Sequence, residues 1–172
     1  LSVDAPSYRA YVNGGGKLSQ ADWRRRNVET LLKAIYAAIK EEDPDVLFGI
    51  SPQSSVDNNY NAMFLNVAKI VSTPGYCDYV CPQIYFGYQN QAQPYQETLE
   101  SWNNMINCEE VDLYVGLAAY KLGASDQWAG TGKNEWIHNN DLLARMVQTA
   151  RNQNSYKGFA LYRYDSLFAP EQ

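Results

Sequence analysis

Four short apolar runs constrain this chain more than anything else in it. VLFGIS at 46–51, CDYVCPQIY at 77–85, DLYVGLAA at 112–119 and GFALYRY at 158–164 are close to continuously apolar rather than alternating. That is the pattern of strands buried on both faces of a sheet, which is the usual situation in parallel sheets. Their starts, near 46, 78, 112 and 158, lie 32 to 46 residues apart. Such a spacing leaves room for a helix and two loops between strands, the βα repeat of a parallel sheet.

The intervening segments carry the helical period. Ser19 reads as the N-cap of a helix over 20–42, in which Val28, Leu31, Leu32, Ile35, Tyr36 and Ile39 form one apolar stripe against a core, ended by Asp43 and Pro44. Further helices are predicted over 62–72 (Met63, Phe64, Val67, Ile70 and Val71 inward), 96–106 (Leu99, Trp102, Met105, Ile106) and 140–154 (Leu142, Leu143, Met146, Val147, Ala150). Residues 1–19, with Pro6 and Gly14 to Gly16, read as a loop, as does the polar stretch SSVDNNYN. The aperiodic segment 120–136 is long enough to be a functional loop, and residues 165–172 trail off. The fold class is therefore α/β. A TIM (β/α)8 barrel needs about 250 residues, so four strands supply about half of one.

Composition narrows the partners. At 172 residues and 45% hydrophobic, the chain is expected to form one domain over 1–172 with a real core. A formal charge of −5 argues against nucleic acid. The one dense basic cluster, Arg24, Arg25 and Arg26, lies in a helical pattern with Asp22 and Glu29 and reads as an ion-paired or solvated face, or as an anion site. No run is long enough for a membrane span, and no signal peptide is present. Cys77 and Cys81 on one strand would lie about 13 Å apart, so with Cys108 they read as free thiols. His138 is the only histidine, so no metal-ligand spacing exists and no cofactor is called for. No GxGxxG or GxxxxGK[ST] follows a strand, so the phosphate-cradling versions of the architecture have no support in the sequence.

The chemistry is expected where the run at 77–85 stops. Pro82 cannot donate to a central ladder, and Gln83 with the rings of Tyr85, Phe86 and Tyr88 offers hydrogen bonds beside a stacking face. A small polar ligand such as a sugar suits that combination.

Several stretches, in order over nearly the whole chain, resemble the family 10 glycosylhydrolase-like proteins, formerly a domain of unknown function. They are DWRRRNV (22–28), FGISP (48–52), CDYVCPQIYFG (77–87), LYVGLAAYK (113–121), AGTGKNEW (129–136) and GFALYRY (158–164). The resemblance implies a bacterial (β/α)8 barrel, exported to the cell envelope or beyond, that cleaves glycosidic bonds. On it, the four strands here are the fifth to eighth, and the family's acidic motif at the end of the fourth strand is expected upstream of Leu1. The loop ISPQSSVDNNYN (50–61) departs from the family's usual sequence.

Strand ends converge on one mouth in a barrel. The candidate substrate-binding residues are then Gln83 and Tyr85, Lys121 with Tyr120 beside it, Tyr164, Gln53 and, in the long loop, Trp128. The bland alternative is that these side chains satisfy loop backbone groups. Lys121 is suited to a carboxylate or to polarising an oxygen. Glycoside hydrolysis needs two carboxyl groups roughly 5 to 9.5 Å apart. The loop acids are Asp57, Asp126, Glu135 and Asp165, of which Asp165 is the best placed catalytic candidate, whereas Asp78 and Asp112 sit at strand starts and read as structural.

Three readings follow. The first is a glycoside hydrolase acting on a polysaccharide or cell-wall glycan, with its main acids outside this chain. The second is a non-catalytic carbohydrate-binding pseudo-enzyme, and the third a structural fragment. The expected partners are an oligo- or polysaccharide and, for the open sheet edges, the amino-terminal half-barrel or a second copy of the chain.

Overall fold

The computed structural model describes residues 3–168. Its element order is α1 (Ala5–Asn13), α2 (Gln20–Glu42), β1 (Gly49–Ile50), α3 (Val56–Asn61), α4 (Val67–Val71), β2 (Tyr79–Val80), α5 (Tyr95–Met105), β3 (Asp112–Ala118), α6 (Glu135–His138), α7 (Leu142–Ala150) and β4 (Tyr156–Tyr162). The four strands form one parallel sheet in sequential order, with Gly49 beside Tyr79, Val80 beside Leu113 and Val115 beside Phe159. This is the α/β class expected from the strand spacing, and it is consistent with part of a TIM barrel.

One face of the sheet carries the core. Val80, Ile84, Leu113, Val115 and Leu117 point to the helical layer, where Leu99 and Trp102 of α5 and Leu142 and Met146 of α7 are fully buried against them. The other face is concave and pairs large with small side chains. Tyr79 covers Gly49 on the neighbouring strand, Tyr114 covers Gly158, and the two rings meet edge to face at 5.1 Å. Side chains larger than hydrogen at Gly49 or Gly158 would displace those rings.

Several expected boundaries need correction. The first two strands are two residues long, not six and nine, because Pro52 and Pro82 have no N–H to continue the ladder. The pairing resumes beyond them through single bridges between Gln53 and Gln83 and between Gln83 and Gly116, the Gln83 N–H donating to the Pro52 carbonyl at 2.9 Å. The predicted helix over 62–72 is helical only over Val67–Val71, as α4. Phe64 has φ +54, a left-handed conformation that no helix continues through. The stretch read as a polar loop is α3, capped by the Ser55 hydroxyl accepting from the Asn58 N–H, and Met63 is exposed rather than inward. Residues 1–19 hold α1, whose Tyr8 and Tyr11 pack on Trp23 of α2 at 5.5 and 6.2 Å. Pro6 sits in its first turn, where a proline is tolerated, and Gly14 follows its last residue.

Helix α2 follows the expected bounds, with Ser19 capping Asp22. Only part of its apolar stripe meets the core: Leu32 packs inward, whereas Leu31 is 59% exposed and Ile35 is also in solvent. The three arginines are all engaged. Arg24 and Arg25 pair with Asp4 and Asp22 at 2.6 and 2.8 Å, and Arg24, Arg25 and Arg26 lie over the rings of Phe64, Tyr60 and Tyr11. Asp78, just before β2, accepts from the Phe48 N–H at 2.7 Å and from Tyr36 at 3.2 Å and pairs with Lys40 at 3.0 Å, fixing α2 to the amino end of the sheet. Among the described residues no helix is long and apolar enough to cross a membrane.

Candidate active site

The carboxyl ends of the strands open into a cleft of about 450 Å³. Gln53 and Gln83 reach it because the bridges past the two prolines hold them side by side. The Gln83 amide donates to the Ser51 carbonyl at 3.1 Å, and the Gln53 amide oxygen accepts from Asn58 of α3. Tyr85, Tyr120 and Lys121 complete the wall formed by the second and third strands. Gln93 lines the opposite side from the loop before α5.

Tyrosines form the floor beside it. Tyr85 stacks on Tyr162 with centroids 5.7 Å apart and planes at 21°, and Tyr120 meets both rings edge to face at 6.1 and 6.0 Å. Burial raises the Tyr85 and Tyr120 hydroxyls above the ordinary tyrosine range, so both stay protonated donors at neutral pH. Sequence reasoning missed Tyr162. The signal was present, because Gly158, Ala160 and Tyr162 share a parity on one strand and therefore a face. Asn58 and Gln93 come from loop geometry and a short helix that carried no such signal.

Lys121 is committed to the protein. Its Nζ donates to the Tyr85 carbonyl at 2.7 Å and to Asp126 Oδ2 at 2.6 Å, with the Asp126 side chain almost wholly buried. Lys121 therefore acts as a strut between the end of the second strand run and the long loop, with its charge neutralised, rather than as a free cation facing ligand. Glu135 is likewise engaged: its two oxygens accept from the Tyr88 and Gln89 N–H groups at 3.0 and 2.9 Å. A Cβ at Gly87 would strike that carboxylate, so glycine is required there.

The remaining candidates lie apart from the cleft. Trp128 is 89% exposed and Tyr164 is 76% exposed, the latter packed on Phe168 at 4.8 Å. Asp165 forms an exposed ion pair with Arg163 at 2.5 Å. No carboxylate is among the described residues lining the cleft. His138 is exposed at the end of α6, and among the described residues there is no cluster of three or more metal-ligating side chains. All three cysteines are free, and burial pushes the Cys77 thiol up to about 12.

Comparison with known proteins gives this cleft a context. Residues 2–131 match the family described as glycosyl hydrolase-like 10. The chain is 28% identical over 184 aligned residues to the glycosyl hydrolase DigH of Escherichia coli K12, covering 98% of this chain and 40% of that protein. It is 34% identical over 116 residues to the glycosyl hydrolase YngK of Bacillus subtilis, covering 59% of this chain and 22% of that protein. The chain thus spans about 40% of the length of DigH. With the family match extending over most of its residues, the chain belongs to the glycosyl hydrolase-like 10 family.

Proposed function

We propose that this chain supplies the glycan-binding half of a glycosidase site, one that hydrolyses O-glycosidic bonds of a polysaccharide or cell-wall glycan. Family membership supports a glycosidase-like function. The observation that carries the finer reading is the cleft at the strand ends, where Gln53, Gln83, Asn58 and Gln93 present amide donors and acceptors beside the Tyr85, Tyr120 and Tyr162 rings. Amides suit sugar hydroxyls and ring faces suit the apolar face of a pyranose. Acid and base carboxyls come, on this reading, from an amino-terminal half-barrel that closes the mouth, and the site works in the cell envelope or outside the cell. Asp165, tied to Arg163 away from the cleft, is a weak candidate for either role.

A second reading is favoured by the absence of any carboxylate from the described lining: a carbohydrate-binding protein without catalysis. Release of reducing ends from a glycan panel, including bacterial cell-wall strands, separates the two when measured with this chain alone and paired with an amino-terminal half-barrel. Hydrolysis by the paired form alone supports the glycosidase. Retained binding without hydrolysis supports the second reading, and neither binding nor hydrolysis overturns both.

A further inference from the structure

Past Lys121, the segment between β3 and α7 supplies none of the described residues lining the cleft, yet it is keyed to a turn that does. Glu135, at the start of α6, is 5% exposed, and among the described residues no lysine or arginine pairs with it. Its two oxygens are taken up by backbone instead, accepting from the Tyr88 and Gln89 N–H groups. Gly130 and Gly132 seat the same segment on the same turn. A Cβ on Gly130 would strike the Gln91 side chain and one on Gly132 the Gln89 carbonyl, and the Gln91 N–H donates to the Ala129 carbonyl at 3.4 Å. A carboxylate buried without a cation is unfavourable unless hydrogen bonds satisfy it. The two N–H groups therefore hold segment and turn in one arrangement.

The turn passes that arrangement on to the cleft. Asn90, 2% exposed, donates its N–H to the Gly87 carbonyl at 3.3 Å, and its side-chain oxygen accepts from the Ala92 and Gln93 N–H groups at 3.0 and 2.9 Å. Gln93 is thereby set on the cleft wall. Its amide oxygen accepts from the Ser54 hydroxyl at 2.5 Å, so the amide N–H groups are what it offers a ligand. The Ser54 carbonyl in turn accepts from the buried Trp102 indole at 2.8 Å. A run of hydrogen bonds thus leads from Glu135 through the turn and Gln93 to Trp102.

From this run we infer that Glu135 is a positioning residue for the cleft: it touches no ligand, and through the 88–93 turn it sets the direction from which Gln93 donates. The inference rests on the glycan-binding reading for its effect on affinity, but not for its effect on the free protein. A donor already held in place binds without the cost of being ordered. One misplaced hydrogen bond corresponds to about fivefold in affinity.

E135Q tests it at nearly unchanged volume, because a glutamine offers one acceptor and sets its own N–H groups against the second backbone N–H. In nitrogen–proton NMR spectra of the free chain, the Gln93 side-chain amide and the Trp102 indole signals are expected to move along with those of residues 87–91. Titration with the hexasaccharide of β-1,4-linked N-acetylglucosamine and with purified cell-wall glycan strands reads the effect on binding in a double-mutant cycle. E135Q is expected to weaken binding about fivefold in the parent chain and by a factor of about one when Q93A is already present. G132A, which presses on the Gln89 carbonyl and leaves Glu135 in place, is expected to reproduce both results and takes over the test if E135Q does not fold. An equal loss in both backgrounds overturns the inference, because Glu135 would then act on binding without Gln93. Gln93 and Trp102 signals that stay fixed while those of 87–91 move overturn it as well, leaving Glu135 a purely local support. If the parent chain binds neither glycan, the glycan-binding reading fails, and the two distal signals alone decide the positioning role.

Discussion

Two buried tryptophans differ in one hydrogen bond, and that difference is measurable. Trp102 donates to the Ser54 carbonyl at 2.8 Å, whereas the Trp136 indole N–H, equally buried, has no partner among the described residues. A buried donor without a partner costs about 1–3 kcal/mol, and a satisfied one contributes about 1 kcal/mol. Both W102F and W136F remove the same atoms, so urea unfolding is expected to show W102F less stable than W136F by about 1–2 kcal/mol. Equal losses would mean that the Ser54 contact contributes nothing. Asp78 gives a pH prediction. Burial by itself raises its carboxyl, but the Phe48 N–H, Lys40 and Tyr36 outweigh it and hold the carboxyl below the ordinary range. A folded value below the unfolded value of about 3.9 means stability fully present above that pH and lost as pH falls through the folded value. Thermal melts below about pH 4 should fall more steeply for the parent chain than for D78N, and D78N should be less stable at pH 7 by about 2–3 kcal/mol. Parallel pH profiles for the two would remove Asp78 from the account.

The segment between β3 and α7 is held at two points rather than by regular structure. Lys121 with Asp126 fixes its start, and Glu135 fixes its end to the 88–89 turn. K121M leaves a buried carboxylate unpaired, a change that costs about 3–5 kcal/mol where the pair is well enclosed. Hydrogen exchange is therefore expected to quicken across 121–136 and at Tyr85 while β3 stays protected, and uniform quickening would place the effect on the whole sheet instead. The aperiodic sequence of this segment did show a long loop, but not what anchors it, because a lysine and an aspartate five residues apart look the same whether paired or solvated. The same limit explains Asp165 and Trp128: position after a strand or in a loop does not say which way a side chain turns. Strand order, the α2 bounds and the placing of Gln53, Gln83 and Tyr85 on the cleft were legible because period and spacing are local properties. The late start of the helix predicted over 62–72 was not, since it turns on one left-handed backbone at Phe64, and α1 was hidden because three glycines follow a helix only nine residues long.

As a whole, the sheet is finished on one face and open on the other. Its two edges carry exposed apolar side chains, Leu47 (64% exposed) just before β1 and Phe159 (44% exposed) on β4. Between them the concave face encloses an apolar cleft of about 580 Å³ lined by Tyr79, Cys81, Tyr114 and Ala160. Edges of this kind are templates for pairing, and a face of this kind is an association surface unless covered. A (β/α)8 barrel covers both at once, by setting four more strands against β1 and β4 and filling the concave face with their side chains. The chain alone is therefore expected to self-associate through that face. Sedimentation velocity should show species heavier than the 19.5 kDa chain at micromolar concentration, and a charge placed on that face by Y114E should shift the population toward monomer. Addition of an amino-terminal half-barrel should replace the self-associated species with a one-to-one complex, and Y114E should weaken that complex as well, because Tyr114 lies on the face the half-barrel would cover. A monodisperse monomer for the unmodified chain would overturn the expectation, because it would mean that the concave face and both edges are stable in water without a partner.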